Sequence, residues 1–161
     1  MRRHPFLRNL CVGGALLLTT SGGTFPQATT VVELEAELLE MVNAEREAWG
    51  LNPLRHVASL SRVAREHSQR MAEERLVSHE LGGKSMEERI RGVAPDSCLF
   101  GENLAKNVSL DYAFSDLMES EGHRDNLLHP DFSQVGIGIA HGDDGFLYVT
   151  QNFMSPCRTR R

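Results

Sequence analysis

The sequence contains no cluster of basic residues, no internal repeat, no low-complexity tract and no Gly-x-Ser-x-Gly motif. Its 161 residues carry 17 Lys or Arg and 22 Asp or Glu, for a formal net charge of −5. The first 28 residues hold three arginines and no acid, so residues 29–161 carry 14 basic and 22 acidic side chains, a net charge of −8. An acidic domain without a basic cluster is a poor ligand for polyanions, which argues against nucleic acid as a main partner. The missing motif argues against a serine hydrolase with a nucleophile elbow.

The N-terminus lacks the run of about 20 apolar residues that a membrane-spanning helix needs. A short basic segment, residues 1–9, precedes an uncharged apolar run of eleven residues, 10–20, and small or polar residues follow to residue 30. This order is typical of a secretory signal peptide, with cleavage after Gly22 or Ala28. We therefore predict a leader over 1–28 and a secreted protein, extracellular or periplasmic. The alternatives are a disordered basic tail or, if the leader stays uncleaved, a membrane anchor.

Cysteine is scarce, with three residues in the chain. Cys11 lies at the start of the apolar run instead of following it, which is not the position of a lipid-modified cysteine. Cleavage of the leader would leave Cys98 and Cys157, and such a pair forms a disulfide readily in an oxidising compartment. Two unrelated thiols are the alternative, and the distance between the two Cα atoms distinguishes the cases.

Helical patterns dominate the first part of the mature chain. Apolar spacing and capping residues predict helices over 29–49, 57–76, 85–91 and 111–119, with Ser85 and Glu88 as a capping box and Asp111 as the cap of the fourth helix. Residues 92–101 are predicted to be a loop. His67 falls on the apolar stripe of the second helix, where a packed, hydrogen-bonded histidine is expected.

The pattern then changes to that of strands. Residues 135–140 alternate apolar residues with glycine, and residues 146–153 are rich in aromatic and β-branched residues, with a turn cluster between them. Helices followed by a hairpin predict an α+β layer fold. One domain over 30–157 accounts for all of these elements.

Two histidines and one glutamate outside the apolar stripes are candidates for chemistry. His79 follows the second helix, Glu102 follows Gly101, and His123 follows Gly122. The two glycines would allow close backbone approach or a positive φ at the preceding position. Two imidazoles and a carboxylate suit a divalent metal with an open position, and they suit acid–base chemistry equally well.

Three motifs of the second half of the chain are similar to those of the CAP superfamily, which includes cysteine-rich secretory proteins, venom antigen 5 and plant pathogenesis-related proteins. They are Gly101-Glu102-Asn103-Leu104-Ala105, Ser120-x-Gly122-His123-Arg124-x-Asn126-Leu127-Leu128 and Val135-Gly136-Ile137-Gly138. The first half agrees through Asn43-x-x-Arg46 and Ser78-His79, and the last strand through Tyr148-x-Thr150-Gln151-Asn152-Phe153. The resemblance covers about residues 40–153 and is closest to the compact bacterial branch, the SCP domain.

The resemblance implies an α–β–α sandwich, with a central antiparallel sheet flanked by about four helices and a further strand around 103–108. It implies a cavity in which His79 and His123 hold a divalent metal, often zinc, beside Glu102. A second cavity glutamate would be Glu121, with Glu119 as the other candidate. Position 117 is Leu where the bacterial branch usually has Trp, so we expect the fourth helix to pack differently.

Three further polar residues of these motifs are expected to have structural roles. Asn103 and Asn126 are expected to hydrogen-bond loop backbone, and Arg124 to brace an acid.

Two functions from different classes follow from this site. The first is a secreted CAP-domain protein that binds a divalent metal or a small ligand, such as a lipid or a cell-envelope component. The alternative is a zinc-dependent hydrolase or peptidase that uses His79, His123 and Glu102. A third possibility, an interaction module, predicts that the two histidines can be replaced without effect.

Overall fold

The computed structural model describes residues 29–157. The predicted leader over 1–28, with Cys11 and both cleavage positions, lies outside the described residues. The elements in chain order are α1 Val31–Ala48, β1 Arg55–His56, α2 Ala58–Glu74, α3 Met86–Arg91, β2 Ser97–Asn107, α4 Leu110–Glu119, α5 Glu121–Leu127, β3 Gln134–His141 and β4 Leu147–Pro156. Over residues 29–157, none of the helices combines the length and the apolarity that crossing a bilayer requires.

The helices begin where side chains satisfy their first backbone N–H groups. In α1 the Thr30 hydroxyl accepts from the Glu33 amide, and the Glu33 carboxylate accepts from the Thr30 amide at 2.7 Å. The predicted capping box of Ser85 begins α3 in the same way. The helix predicted over 111–119 is present as α4, but its predicted cap was wrong, because the Ser109 hydroxyl caps this helix and Asp111 lies in its first turn.

The sheet has the strand order β1-β3-β4-β2. The predicted hairpin of β3 and β4 is confirmed, and β2 pairs antiparallel with β4, with a shift of register between Ser97 and Leu99. An antiparallel sheet was expected, but β1 pairs parallel with β3 over two residues. β2 begins at Ser97, which lies inside the loop predicted over 92–101. The strand that the resemblance implies around 103–108 is therefore present, but it starts earlier than expected.

The two faces of the sheet are covered by different helices, which gives the predicted α–β–α sandwich. On one face Val135, Ile137 and Ile139 belong to the main core with residues of α1, α4 and α5. On the other face Gly136 and Gly138 allow the backbone of α2 to lie directly on β3, since a Cβ at either position would overlap that backbone. Five helices occur among the described residues, because the Gly-His segment forms α5, which was not predicted.

Candidate functional site

Glu102 is the centre of the candidate site, and its carboxylate is fully engaged. The residue lies in the edge strand β2, and its side chain is 1% exposed. One carboxylate oxygen, Oε1, lies 2.8 Å from Nδ1 of His79, and the other, Oε2, accepts a hydrogen bond of 2.6 Å from Nη2 of Arg89. Burial in this setting requires such partners, because an unpaired buried carboxylate is costly.

His79 is held by its backbone as well as by its ring. Nη1 of Arg89 donates to the carbonyl of His79 at 2.8 Å and to that of Lys84 at 2.9 Å. On the preceding residue, the carbonyl of Ser78 lies 2.9 Å from Nε2 of the buried His67. The segment after α2 is therefore fixed from both sides, while the His79 side chain remains 56% exposed.

The contact with Glu102 defines which nitrogen of His79 is available. An ionised carboxylate only accepts hydrogen bonds, so Nδ1 of His79 is the donor and carries the proton. In the neutral ring, Nε2 then has a free lone pair. An exposed imidazole with this tautomer is suited to bind a metal ion or to accept a proton.

His123 is placed by α5 and by an amide network that joins α5 to β2. Nδ2 of Asn103 donates to the His123 carbonyl at 2.9 Å, and Nδ2 of Asn126 donates to Oδ1 of Asn103 at 2.9 Å. Burial lowers the pKa of His123, and the nearby positive charge of protonated His79 lowers it further. The neutral form of His123 is therefore favoured, which is the form that binds metals.

The second cavity glutamate that the resemblance implies stays a prediction, because no contact among the described residues ties either candidate to the site. Glu121 begins α5 with an exposed side chain, and Glu119 lies exposed on α4, where it accepts a hydrogen bond from the Ser115 hydroxyl. Within residues 29–157 no hydrogen bond or ion pair connects either glutamate to Glu102. Nor does Arg124 brace an acid as predicted, because it donates to the carbonyl of Met118 at 2.9 Å.

The two glycines before the site residues have different roles. A Cβ at Gly101 would overlap the Phe132 ring and touch Oδ1 of Asn126, so the predicted close approach is found there. Gly122 is a helical residue of α5 with open space where a Cβ would lie, so it meets no such requirement.

Two arginines that position the site were not recognised as site residues from the sequence. Arg89 stands among charged residues on a short helix, and nothing in its pattern indicates a buried ion pair with Glu102. Arg46 is fully buried and donates to the carbonyls of Leu127 and His129, at 2.8 and 3.1 Å, so it holds the end of α5 against α1. The only signal for Arg46 was its place in the Asn43-x-x-Arg46 resemblance.

A disulfide between Cys98 and Cys157 joins the beginning of β2 to the residue after β4. Their Cα atoms are 4.8 Å apart, and the amide of Cys157 donates to the Asp96 carbonyl at 2.7 Å. The bond closes the end of the β2–β4 ladder on which Glu102 lies.

The site offers two imidazoles as candidate metal ligands. Over residues 29–157 no group of three or more His, Cys, Asp or Glu converges in a way that could hold a metal ion. His79 and His123 are the available imidazoles, while both oxygens of Glu102 are committed to charge-assisted hydrogen bonds.

Comparison with known proteins gives matches over most of the domain. The sequence model of the CAP family, described as the cysteine-rich secretory protein family, matches residues 39–153. Two relatives from Bacillus subtilis (strain 168) are the uncharacterized protein YkwD, 32% identical over 127 residues, and the uncharacterized membrane protein YlbC, 33% identical over 123 residues. These matches cover 76% and 74% of this chain but 48% and 34% of the relatives, so the chain spans about half and a third of their lengths.

Two solved structures show the same fold. An extracellular protein from Bacillus anthracis that contains an SCP domain is 27% identical, with a TM-score of 0.68 over 75% of this chain and 40% of that one. An outer surface protein of Borrelia burgdorferi has a TM-score of 0.75 over 80% of this chain and 97% of its own, at 22% identity.

Proposed function

Because the chain belongs to the CAP family of cysteine-rich secretory proteins, we propose that it is a secreted protein whose His79–Glu102–His123 site binds a divalent metal ion, with zinc as the first candidate. The observation that carries the proposal is the 2.8 Å contact between Nδ1 of His79 and Glu102, which leaves Nε2 free on an exposed ring. His79 and His123 would be the protein ligands.

In this arrangement Glu102 orients a ligand and does not coordinate the metal. A carboxylate that accepts the Nδ1 proton of a metal-binding histidine fixes the tautomer and raises the basicity of the other nitrogen. Arg89 holds the opposite oxygen of Glu102 and so keeps the carboxylate from turning toward a metal. A bound ion would act as a Lewis acid toward a ligand at its open positions. That ligand would be a small molecule, including a lipid or a component of the cell envelope.

Binding is better supported than hydrolysis by the surroundings of the site. A hydrolase with two carboxylates needs a second acid near the metal, and both candidates, Glu119 and Glu121, have exposed side chains. The single carboxylate that is present already bonds to His79 and Arg89. No group of the described site is then left as a free general base except the histidines themselves.

Zinc titration of the purified, disulfide-bonded protein by calorimetry tests the site. The wild type should bind one zinc ion per chain, and His79→Ala and His123→Ala should each abolish saturable binding. His141→Ala, at the exposed end of β3, is the matched control and should leave binding unchanged. Unaltered zinc binding in His79→Ala would refute the proposal.

Secretion rests on the leader pattern and on the disulfide, which forms in oxidising compartments. Expression of the full chain with its leader, followed by mass spectrometry, tests this part. The protein should be recovered outside the cytoplasm with its N-terminus at Gly23 or Thr29. Recovery of an intact chain that begins at Met1 in the cytoplasm would contradict it.

A further inference from the structure

A groove runs along the exposed side of α1, at the opposite edge of the sheet from Glu102. Two hollows form it, one of about 230 Å³ and one of about 560 Å³, and Leu39 lines both. The first hollow also touches His56 of β1 and Ile137 of β3, whereas Glu102 lies on β2 at the other end of the strand order. The groove is therefore separate from the proposed metal site.

The groove is long enough for a segment of polypeptide. Its lining extends along α1 from Val32 to Glu47, a distance of about 22 Å at 1.5 Å per helical residue. That length corresponds to about four turns of a helix or about seven residues of extended chain. A small molecule bound in one of the two hollows would leave the other uncovered.

The floor of the groove is apolar. The residues of the lining whose side chains consist only of carbon and hydrogen are Val32, Ala36, Leu39, Ala44, Leu51, Pro53 and Ile137. The side of Val32 that faces solvent is large, since the residue is 59% exposed, and Trp49, two positions before Leu51, is 64% exposed. Exposed apolar surface that is continuous over such a length is typical of an interaction site.

Most polar groups of the lining already have partners within the domain. The Asn43 side chain donates to the Leu54 carbonyl at 3.2 Å and accepts from the Leu54 amide at 2.8 Å. The Glu35 carboxylate accepts from Nε of Arg65 at 2.7 Å, so the one guanidinium of the lining is neutralised. Nε2 of His56 lies 2.8 Å from the hydroxyl of a serine of α2.

Two glutamates of the lining have no such partners. Glu40 and Glu47 are exposed, and within residues 29–157 neither side chain takes part in a hydrogen bond or an ion pair. α1 supplies no cation to neutralise them, because its one basic residue, Arg46, is fully buried and donates to backbone carbonyls. Negative charge beside an apolar floor favours a ligand that is both apolar and cationic.

We propose that the groove along α1 binds a basic amphipathic segment of another protein, in which Lys or Arg residues flank apolar ones. The apolar side chains of the segment pack on the floor of the groove, as in other complexes of amphipathic segments with apolar grooves. Its Lys or Arg side chains lie beside Glu40 and Glu47. A segment with basic residues alone would leave the floor uncovered, and the two glutamates would repel an anionic membrane surface. The interaction does not depend on the proposed zinc site.

Fluorescence of Trp49, the only tryptophan of the chain, tests the proposal with the disulfide-bonded protein. The probe is a synthetic peptide of about 15 residues in which Leu follows helical spacing and Lys fills the other positions. It should bind saturably at about 0.15 M salt and shift the Trp49 emission to shorter wavelength. The same peptide with Glu in place of Lys, or with Ser in place of Leu, should bind at least about tenfold more weakly.

Variants of the protein locate the contact. Glu40→Gln/Glu47→Gln should weaken peptide binding by about fivefold, as expected for two exposed ion pairs. Ala44→Arg places a bulky cation on the floor at an exposed helical position and should weaken binding at least as much. Glu73→Gln/Glu74→Gln removes the same charge from the exposed end of α2 outside the groove and is the matched control. Its affinity should stay within about twofold of the wild type.

Three results would overturn the proposal: no saturable binding of the Leu/Lys peptide, equal affinity for the acidic peptide, or equal losses in the groove and control double variants. Sedimentation of the protein alone tests the other occupant. A dimer that Ala44→Arg converts to a monomer would assign the groove to a second copy of this chain and would overturn the proposal as well. Peptide affinity should be unchanged in His79→Ala, and its loss there would contradict the independence of the groove from the zinc site.

Discussion

The buried ion pair between Glu102 and Arg89 gives the sharpest test of how the site is built. The two side chains are 1% and 7% exposed, and their oxygen and nitrogen are 2.6 Å apart. Glu102→Gln leaves the Arg89 charge buried without its partner, and Arg89→Gln does the same to Glu102. Removal of one partner of such a pair costs about 3 kcal/mol of unfolding free energy, or roughly 10 °C in Tm for a domain of this size.

The double variant Glu102→Gln/Arg89→Gln should be more stable than the sum of the two losses predicts. Neither buried group is charged in that variant, so the coupling energy from the cycle should be about 2 kcal/mol. Urea unfolding at pH 7, followed by circular dichroism with the disulfide intact, measures all four forms. The variants lacking Glu102 should also lose zinc affinity, because nothing then fixes the tautomer of His79.

The matched control is the pair of Glu87 and Arg91 on the same helix. Their atoms lie 2.7 Å apart, but the side chains are 54% and 46% exposed, so the coupling should be below about 0.5 kcal/mol. A Glu102–Arg89 coupling no larger than this, or a loss of less than about 1 kcal/mol in each single variant, would refute the stabilising role of the buried pair.

Three other predictions concern the scaffold around the site. Gly138→Ala should destabilise the protein by about 1–3 kcal/mol, because the added Cβ would overlap the backbone of α2. Gly122→Ala should stabilise α5 by about 0.5–1 kcal/mol, because the space around that position is open. Urea unfolding of both variants measures these changes. Reduction of the Cys98–Cys157 bond, which spans 59 positions, should lower the unfolding free energy by up to about 4 kcal/mol, and an unchanged Tm with a phosphine reductant would contradict it. Burial lowers the pKa of His67 below its usual 6.5, so the unfolded state binds more protons at this residue than the folded state does. The unfolding free energy should therefore fall as the pH drops through 6.5. An equal urea midpoint at about pH 7.5 and 5.5, or the same pH dependence in His67→Gln, would contradict this prediction.

The sequence predicted the elements whose patterns are local. The capping box of Ser85, the apolar stripe of α2 and the hairpin of β3 and β4 all depend on neighbours within a few residues, and the structure contains each of them. The placement of His67 on that stripe also agreed, because a single buried face of a helix dictates which residues are covered.

Features that depend on distant partners were missed. β2 begins at Ser97 because its early residues pair with the last residues of β4, which no alternation in its own sequence indicates. Arg89 became a site residue because Glu102, thirteen positions away, needs a second donor. Without that information, the sequence offered no reason to connect Arg89 with Glu102.

Nitrogen NMR of the histidine rings, before and after addition of zinc, tests the proposed metal site most directly. We expect His79 to carry its proton on Nδ1 in the metal-free protein, and we expect zinc to shift the ring nitrogens of His79 and His123 but not those of His141. The Nε2–H tautomer in His79, or zinc-induced shifts that spare His79 and His123, would contradict the account.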